Sequence, residues 1–146
     1  MSTRCQIEFY NDEPMDAGEP AARIYKHSDG YPKGILPLLK KLENVLRKNL
    51  PLFGSRLDDP EWAAAEFISM FRLSSAEIPK NSAGSVERNG QRLYGGNVYV
   101  SQQIHPDIEY LYRVICKTDG WNIRIFKPKY GDKPGFNIVG FEEVAK

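Results

Sequence analysis

Strict alternation between apolar and polar residues near the start of the chain limits the fold more than any other feature. Residues 4–10 place an apolar side chain at every second position, namely Cys5, Ile7 and Phe9. Residues 21–27 repeat the pattern. A period of two is typical of a strand with one face in a core and the other facing outward. The pattern therefore predicts two strands joined by a polar loop.

Two segments with helical features follow the strands. Apolar residues recur at intervals of three and four over 35–46, which predicts an amphipathic helix with Pro37 in its first turn. A second helix is predicted to begin at Pro60, after an N-cap at Asp58 or Asp59. Both helices carry an apolar stripe, so both are expected to pack on the sheet.

The final third of the chain is predicted to form a meander of strands. Residues 97–104 and 108–117 are expected to pair with each other through a turn at 105–107. A last strand at the sheet edge is predicted over 136–144. Between the second helix and these strands, residues 74–96 are rich in Ser, Asn and Gly and predict a long mobile loop.

The dipeptide Asp119-Gly120 is a strong signal for a two-residue hairpin turn. A turn at these two residues pairs Cys116 with Ile123 on the face beneath the helices. The opposite face then carries a mixture of cations, aromatic rings and aliphatic side chains, which is too apolar for a simple solvated surface and indicates that something covers it. Its predicted members are Tyr99, Leu111, Arg113, Ile115, Arg124 and Phe126.

Length and composition fit one domain over residues 1–146. The 146 residues are 41% hydrophobic and 27% charged, which is enough for one core and short for two. We expect an α+β fold with an antiparallel sheet of about five strands and two helices on one face. A net charge of +1 gives no indication of nucleic-acid binding.

The chain carries no sign of a membrane partner. No apolar run approaches the roughly 20 residues of a membrane span, and the first residues lack a signal-peptide core. We therefore expect a cytoplasmic protein. The two cysteines, Cys5 and Cys116, lie far apart in predicted strands, so both are expected to be reduced and buried. No motif for a metal site, a cofactor or a catalytic nucleophile is present, and none of these is expected.

The polar sides of the predicted strands are expected to share one sheet face that is rich in arginine, tyrosine and histidine. These residues suit an anion or a planar ring, because a guanidinium donates two parallel hydrogen bonds and a phenol offers a stacking surface. The alternatives are a solvated polar face and a face packed against another subunit. The candidate ligand-binding residues from this pattern are Arg23, Tyr25, His27, Tyr99, Arg113 and Arg124.

His27 and Asp29 invite a separate hypothesis. A carboxylate two residues from a histidine can orient the imidazole as a general base. The structural alternative is a turn in which Asp29 bonds to the backbone near Gly30. His105 and Asp107 invite the same idea, but the sequence His-Pro-Asp also fits a hairpin turn.

Three segments together resemble a known group of proteins. They are Thr3-Arg4, then Ile24-Tyr25-Lys26-His27-Ser28-Asp29-Gly30-Tyr31-Pro32-Lys33-Gly34, and finally Asp107-Ile108-Glu109-Tyr110-Leu111-Tyr112. The chain resembles a group of small uncharacterised proteins of phages, prophages and other mobile elements. Such genes often encode accessory factors that antagonise host defence by binding a protein or by sequestering a nucleotide. The resemblance points to Arg4, Tyr25, His27, Asp29, Tyr31 and Tyr110.

Three functional hypotheses follow from these patterns. The leading one is a non-enzymatic binding module that engages a protein partner or an anionic or nucleotide ligand through the open sheet face or the loop 74–96. The rival is a small enzyme acting on a phosphate-containing or nucleotide substrate, with His27 as base, Asp29 orienting it, and Arg4 or Arg23 holding charge. The third is a structural homo-oligomer that pairs through a sheet edge or the open face.

Overall fold

The computed structural model describes residues 3–12, 18–48, 56–71, 85–88, 91–94, 98–133 and 135–144. The strands are β1 (Cys5–Tyr10), β2 (Ala22–Lys26), β3 (Ser85–Arg88), β4 (Gln91–Tyr94), β5 (Val98–Val100), β6 (Tyr110–Lys117), β7 (Gly120–Tyr130) and β8 (Ile138–Val144), and the helices are α1 (Pro32–Arg47) and α2 (Pro60–Ser69). Neither helix is long and apolar enough to cross a lipid bilayer.

Six strands form one mixed sheet in the order β5-β2-β1-β6-β7-β8. Four neighbouring pairs are antiparallel, and the central pair of β1 with β6 is parallel. The predicted α+β class is confirmed, and so is the last strand at the sheet edge. The expectation of a purely antiparallel sheet of about five strands is wrong. Alternation specifies which side chains share a face, but it carries no information about strand direction.

The predicted pairing of 97–104 with 108–117 is also wrong. β5 pairs with β2, where Val100 lies opposite Ile24, and β6 pairs with β1. Residues 105–107 are therefore no hairpin turn. They belong to a connection over residues 101–109, here called the crossover segment, which passes from one edge of the sheet to its centre.

The hairpin of β6 and β7 has a different register from the predicted one. Lys117 lies opposite Gly120, and Val114 opposite Ile123, so the two turn residues are Thr118 and Asp119. The register differs from the prediction by two residues, which leaves every side chain on its predicted face.

Helix α1 holds this turn in place. The Glu43 carboxylate accepts a hydrogen bond from the Trp121 N–H at 2.8 Å, and Arg47 donates to the Asp119 carbonyl at 3.0 Å. Gly120 has a φ of +151°, and a Cβ there would lie 3.2 Å from Glu43 Oε2. These contacts from a distant helix explain why the local dipeptide signal mispredicts the register.

The two helices begin at prolines. α1 starts at Pro32 rather than at residue 35, so Pro37 lies inside the helix and lacks the N–H that would bond to the Lys33 carbonyl. α2 starts at Pro60, and the Asp59 side chain accepts from the Trp62 N–H at 3.0 Å, which confirms the predicted N-cap.

The main core lies between the helices and one face of the sheet. Its buried residues come from β1, β2, β5, β6, β7, both helices and the segment before α2, and both cysteines are among them. A smaller cluster on the other face contains Tyr25, Ile108, Leu111 and Phe126.

The predicted loop 74–96 contains two strands. β3 and β4 pair with each other, with Val86 opposite Leu93. The other residues of that loop lie outside the described residues, and its mobility stays a prediction.

The turn between β2 and α1 packs tightly against the start of β1. A Cβ at Gly30 would lie 2.7 Å from Cys5 Cβ and 2.9 Å from the Thr3 carbonyl oxygen. The Gly30 carbonyl also accepts from the buried Tyr112 hydroxyl at 2.7 Å. The glycine is therefore required by close backbone approach.

We expect Gly30→Ala to lower the free energy of unfolding by about 1–3 kcal/mol, because backbone atoms of β1 must shift to admit the methyl group. Gly140→Ala is the matched control, since nothing lies within 4 Å of a Cβ at that position. Urea denaturation of both variants measures the difference. Equal stabilities would contradict the described packing of the turn.

Both thiols are expected to be inert in the folded protein. Burial raises the pKa of Cys5 and of Cys116 to about 12, so almost no thiolate forms at pH 8. We expect a maleimide reagent at pH 8 to label neither cysteine in the native protein and both in urea, as counted by mass spectrometry. Rapid labelling of the native protein would show that the core around them is open.

Candidate functional site

The sheet face opposite the helices has a buried carboxylate near its centre. Glu8 on β1 is 2% exposed. Arg23 Nη2 lies 2.8 Å from one of its oxygens, Arg113 Nε lies 3.1 Å from the other, and the Tyr10 hydroxyl donates to it at 3.0 Å. Two guanidiniums and one hydroxyl thus compensate the cost of burying this charge.

Aromatic rings and a second ion pair continue this face toward β8. The Arg113 guanidinium lies 4.8 Å from the centroid of the Phe126 ring and 5.8 Å from that of Phe141. Arg124 lies 5.3 Å from the Phe126 centroid, and it donates to both oxygens of Glu143 at 2.9 and 2.7 Å. The arginines that the sequence predicts as ligand-binding residues therefore all have acidic partners.

The crossover segment covers the other half of the same face. The buried Gln6 amide donates to the Gln103 carbonyl at 2.9 Å and accepts from the His105 N–H at 2.8 Å. Arg23 donates to the Gln102 carbonyl. These bonds explain how a glutamine in the middle of the sheet is fully buried.

Side chains of the crossover segment and of the neighbouring strands form a group that we call the tyrosine–histidine cluster. It consists of Arg4, Tyr25, His27, Tyr99, His105 and Asp107. Tyr25 is at its centre and is 3% exposed. Its ring stacks on His105 at 4.3 Å between centroids and packs against Tyr99 at 5.1 Å.

The Tyr25 hydroxyl links a histidine to a carboxylate. The oxygen lies 3.0 Å from His27 Nδ1 and 3.1 Å from Asp107 Oδ2. Burial, followed by the Asp107 carboxylate, raises the pKa of Tyr25, so the hydroxyl keeps its proton and donates it to Asp107. Because the hydroxyl has one proton, His27 must donate from Nδ1. In the neutral imidazole, His27 Nε2 is then a hydrogen-bond acceptor.

The second histidine is oriented by a serine. His105 Nε2 lies 3.0 Å from Ser101 Oγ, and that hydroxyl donates to the Gln103 carbonyl at 2.8 Å. Since the hydroxyl proton is used, His105 donates from Nε2, and its Nδ1 is the acceptor in the neutral ring.

Arg4 completes the cluster next to the carboxylate. Its Nε lies 3.2 Å from Asp107 Oδ2, and both side chains are partly exposed, at 34% and 42%. The Arg4 carbonyl also accepts from the Glu109 N–H at 2.8 Å, which holds the end of the crossover segment against the start of β1.

The other candidates lie outside the cluster. Asp29 is exposed with a φ of +54°, and the carboxylate in the hydrogen-bond chain of His27 is Asp107 instead. Tyr31 is the N-cap of α1 and is 43% exposed. Tyr110 stacks on Tyr112 on the core side of β6.

His105 and Asp107 are the site residues that sequence reasoning assigned to a turn. A signal for Asp107 was present, because it opens the third of the three resembling segments. Arg4 comes from the first segment, Tyr25 and His27 from the second, and Asp107 from the third, and the fold brings all four together. No group of three or more metal-ligating side chains occurs within the described ranges.

Glu8→Gln is expected to destabilise the fold by about 3 kcal/mol, because two partly buried guanidiniums lose their counter-charge. Glu143→Gln is the matched control, since it breaks an exposed arginine pair and is expected to cost less than about 1 kcal/mol. Urea denaturation compares the two. A smaller loss for Glu8→Gln than for Glu143→Gln would contradict the central role of the buried carboxylate.

Comparisons with known proteins give no indication of the function. No protein-family model matches the chain, and no curated protein or solved structure shows significant similarity to it. The resemblance to mobile-element proteins therefore stays a prediction.

Proposed function

We propose that the protein is a non-enzymatic binding module that takes a planar ring carrying N–H donors, such as the base of a nucleoside or nucleotide, at the tyrosine–histidine cluster. The observation that carries the proposal is the arrangement around Tyr25. The Tyr25 hydroxyl leaves His27 Nε2 as the acceptor nitrogen, and the half-exposed ring of Tyr99 packs against the Tyr25 ring.

Stacking supplies the first part of the recognition. Tyr99 is 46% exposed, and its ring is supported from beneath by Tyr25 and, at 6.3 Å, by His105. A ring that is already held in place loses little conformational freedom when a base stacks on it. Stacking on such a platform is worth about 1–3 kcal/mol per base.

Hydrogen bonding supplies the second part. His27 Nε2 is an acceptor, so it complements an amino or imino N–H group on a ring. Arg4 adds a positive charge that favours a ligand with a phosphate group. The chemistry of the cluster therefore fits a nucleotide better than a purely apolar ring.

The setting of this proposal is the cytoplasm, which fits the two free, buried cysteines. Within the mobile-element group that the chain resembles, an accessory factor that sequesters a nucleotide would use a site of this kind.

The proposal predicts that adenosine or guanosine binds to the full chain, measured by calorimetry at fixed ionic strength. Tyr99→Ala is expected to weaken that binding at least about tenfold through lost stacking. Tyr31→Ala is the matched control, because Tyr31 is similarly exposed and lies outside the cluster. His27→Phe keeps an aromatic ring and removes the acceptor, so it is expected to weaken binding also.

A comparison of ligands tests the acceptor role. Purine riboside lacks the amino group of adenosine, and we expect it to bind at least about tenfold more weakly where adenosine binds, since an acceptor then loses its partner. Failure of both nucleosides to bind, or equal binding by wild type and Tyr99→Ala, would contradict the proposal.

Acid–base chemistry at His27 is a second candidate, favoured by the same hydrogen-bond chain. Asp107 and Tyr25 orient the imidazole in the way that a general base requires, with Asp107 in the place that the sequence hypothesis gave to Asp29. Incubation with nucleoside monophosphates and triphosphates, followed by phosphorus NMR, tests it. New resonances that form with wild type and not with His27→Phe would favour the enzyme, and their absence would favour the binding module.

A further inference from the structure

Arg113 has hydrogen-bonding capacity that the fold does not use. Its Nε donates to Glu8 at 3.1 Å. Within the part of the chain that the structure describes, this is the one hydrogen bond of the Arg113 side chain. The two terminal nitrogens carry four further N–H groups. The side chain is 26% exposed, so these groups are accessible from the open half of the sheet face.

The surroundings of Arg113 carry an excess of positive charge. Three arginines, Arg23, Arg113 and Arg124, share this region of the face with the carboxylates of Glu8 and Glu143. Arg113 and Arg124 lie directly opposite each other on β6 and β7. Like charges at such positions destabilise a sheet, so an anion bound there would relieve a repulsion within the fold.

The guanidinium of Arg113 is also held in place. Its Nε is fixed by Glu8, and the rings of Phe126 and Phe141 lie 4.8 and 5.8 Å from it. A planar fork that is already oriented loses little freedom on binding, and its geometry matches two oxygens of a tetrahedral or carboxylate anion.

We propose that the terminal nitrogens of Arg113 bind a small oxyanion of the phosphate type, with the charge of Arg124 adding to the attraction. Arg124 keeps its ion pair with Glu143 in this arrangement. The site is separate from the tyrosine–histidine cluster and does not rest on the function proposed above. The oxyanion is either free phosphate or a phosphate group of a larger molecule.

The test is a titration of the isotopically labelled full chain with sodium phosphate, followed through the arginine side-chain resonances at constant ionic strength. Sodium chloride is the parallel titration, and adenosine 5′-monophosphate is the third arm. A saturable shift of the Arg113 resonance with phosphate and not with chloride is the expected result. A shift of the Arg113 resonance that saturates at lower concentration with the monophosphate than with free phosphate, in Tyr99→Ala as well as in wild type, would identify the larger molecule as the source.

Three variants make the test specific. Arg113→Lys keeps the charge beside Glu8 and removes the fork, so phosphate binding is expected to weaken at least about tenfold. Arg124→Gln removes an exposed charge and is expected to weaken binding several-fold. Lys129→Gln is the control, since it removes the same charge from an exposed position on the same strand and is expected to bind as wild type does.

The outcomes separate this site from the proposed function. Equal shifts with phosphate and chloride, or unchanged phosphate binding in Arg113→Lys, would overturn the oxyanion site. Tyr99→Ala is expected to leave phosphate binding unchanged, so failure of nucleoside binding and failure of phosphate binding are independent results.

Discussion

The parallel pairing of β1 with β6 is the constraint on which the rest of the structure depends. Because β5 lies at one edge of the sheet and β6 in its centre, the chain must cross β2 and β1 between them, and it crosses on the outer face. The crossover segment does so by bonding to Gln6, whose amide would otherwise be buried without partners. The same path places His105 and Asp107 in contact with Tyr25. A topological requirement thus assembles the candidate site.

Charge compensation divides the outer face into two parts with different chemistry. The arginines around Glu8 stabilise the fold, since removal of that carboxylate would leave Arg23 and Arg113 close together without a counter-charge. Around Tyr25 the groups are acceptors and rings, and Arg4 forms an ion pair with Asp107. The arginines of this face are therefore less available to bind anions than the composition of the face indicates. Only the guanidinium N–H groups that form no ion pair remain to bind a ligand.

Local patterns predicted the elements and faces well and the connections poorly. Alternation placed Ile7 and Ile24 in the core, and the Asp-Pro pair at residues 59 and 60 located the start of α2, because both signals depend only on neighbouring residues. The partner of β5, the direction of β6 and the register fixed by Glu43 depend on contacts between residues 72 to 105 positions apart in the sequence. The same limit applies to the site. His27 was a candidate, but its partner Asp107 came into reach only through the fold.

The most direct test of this account is the position of the protons on the two imidazoles, measured by nitrogen-15 NMR of the histidine rings in the free protein under conditions where both rings are neutral. The hydrogen bonds of Tyr25 and Ser101 require opposite tautomers. We predict the proton on Nδ1 for His27 and on Nε2 for His105, and a shift of the His27 pattern in Tyr25→Phe. A proton on Nε2 of His27 in the wild-type protein would contradict the orientation on which the proposed site depends.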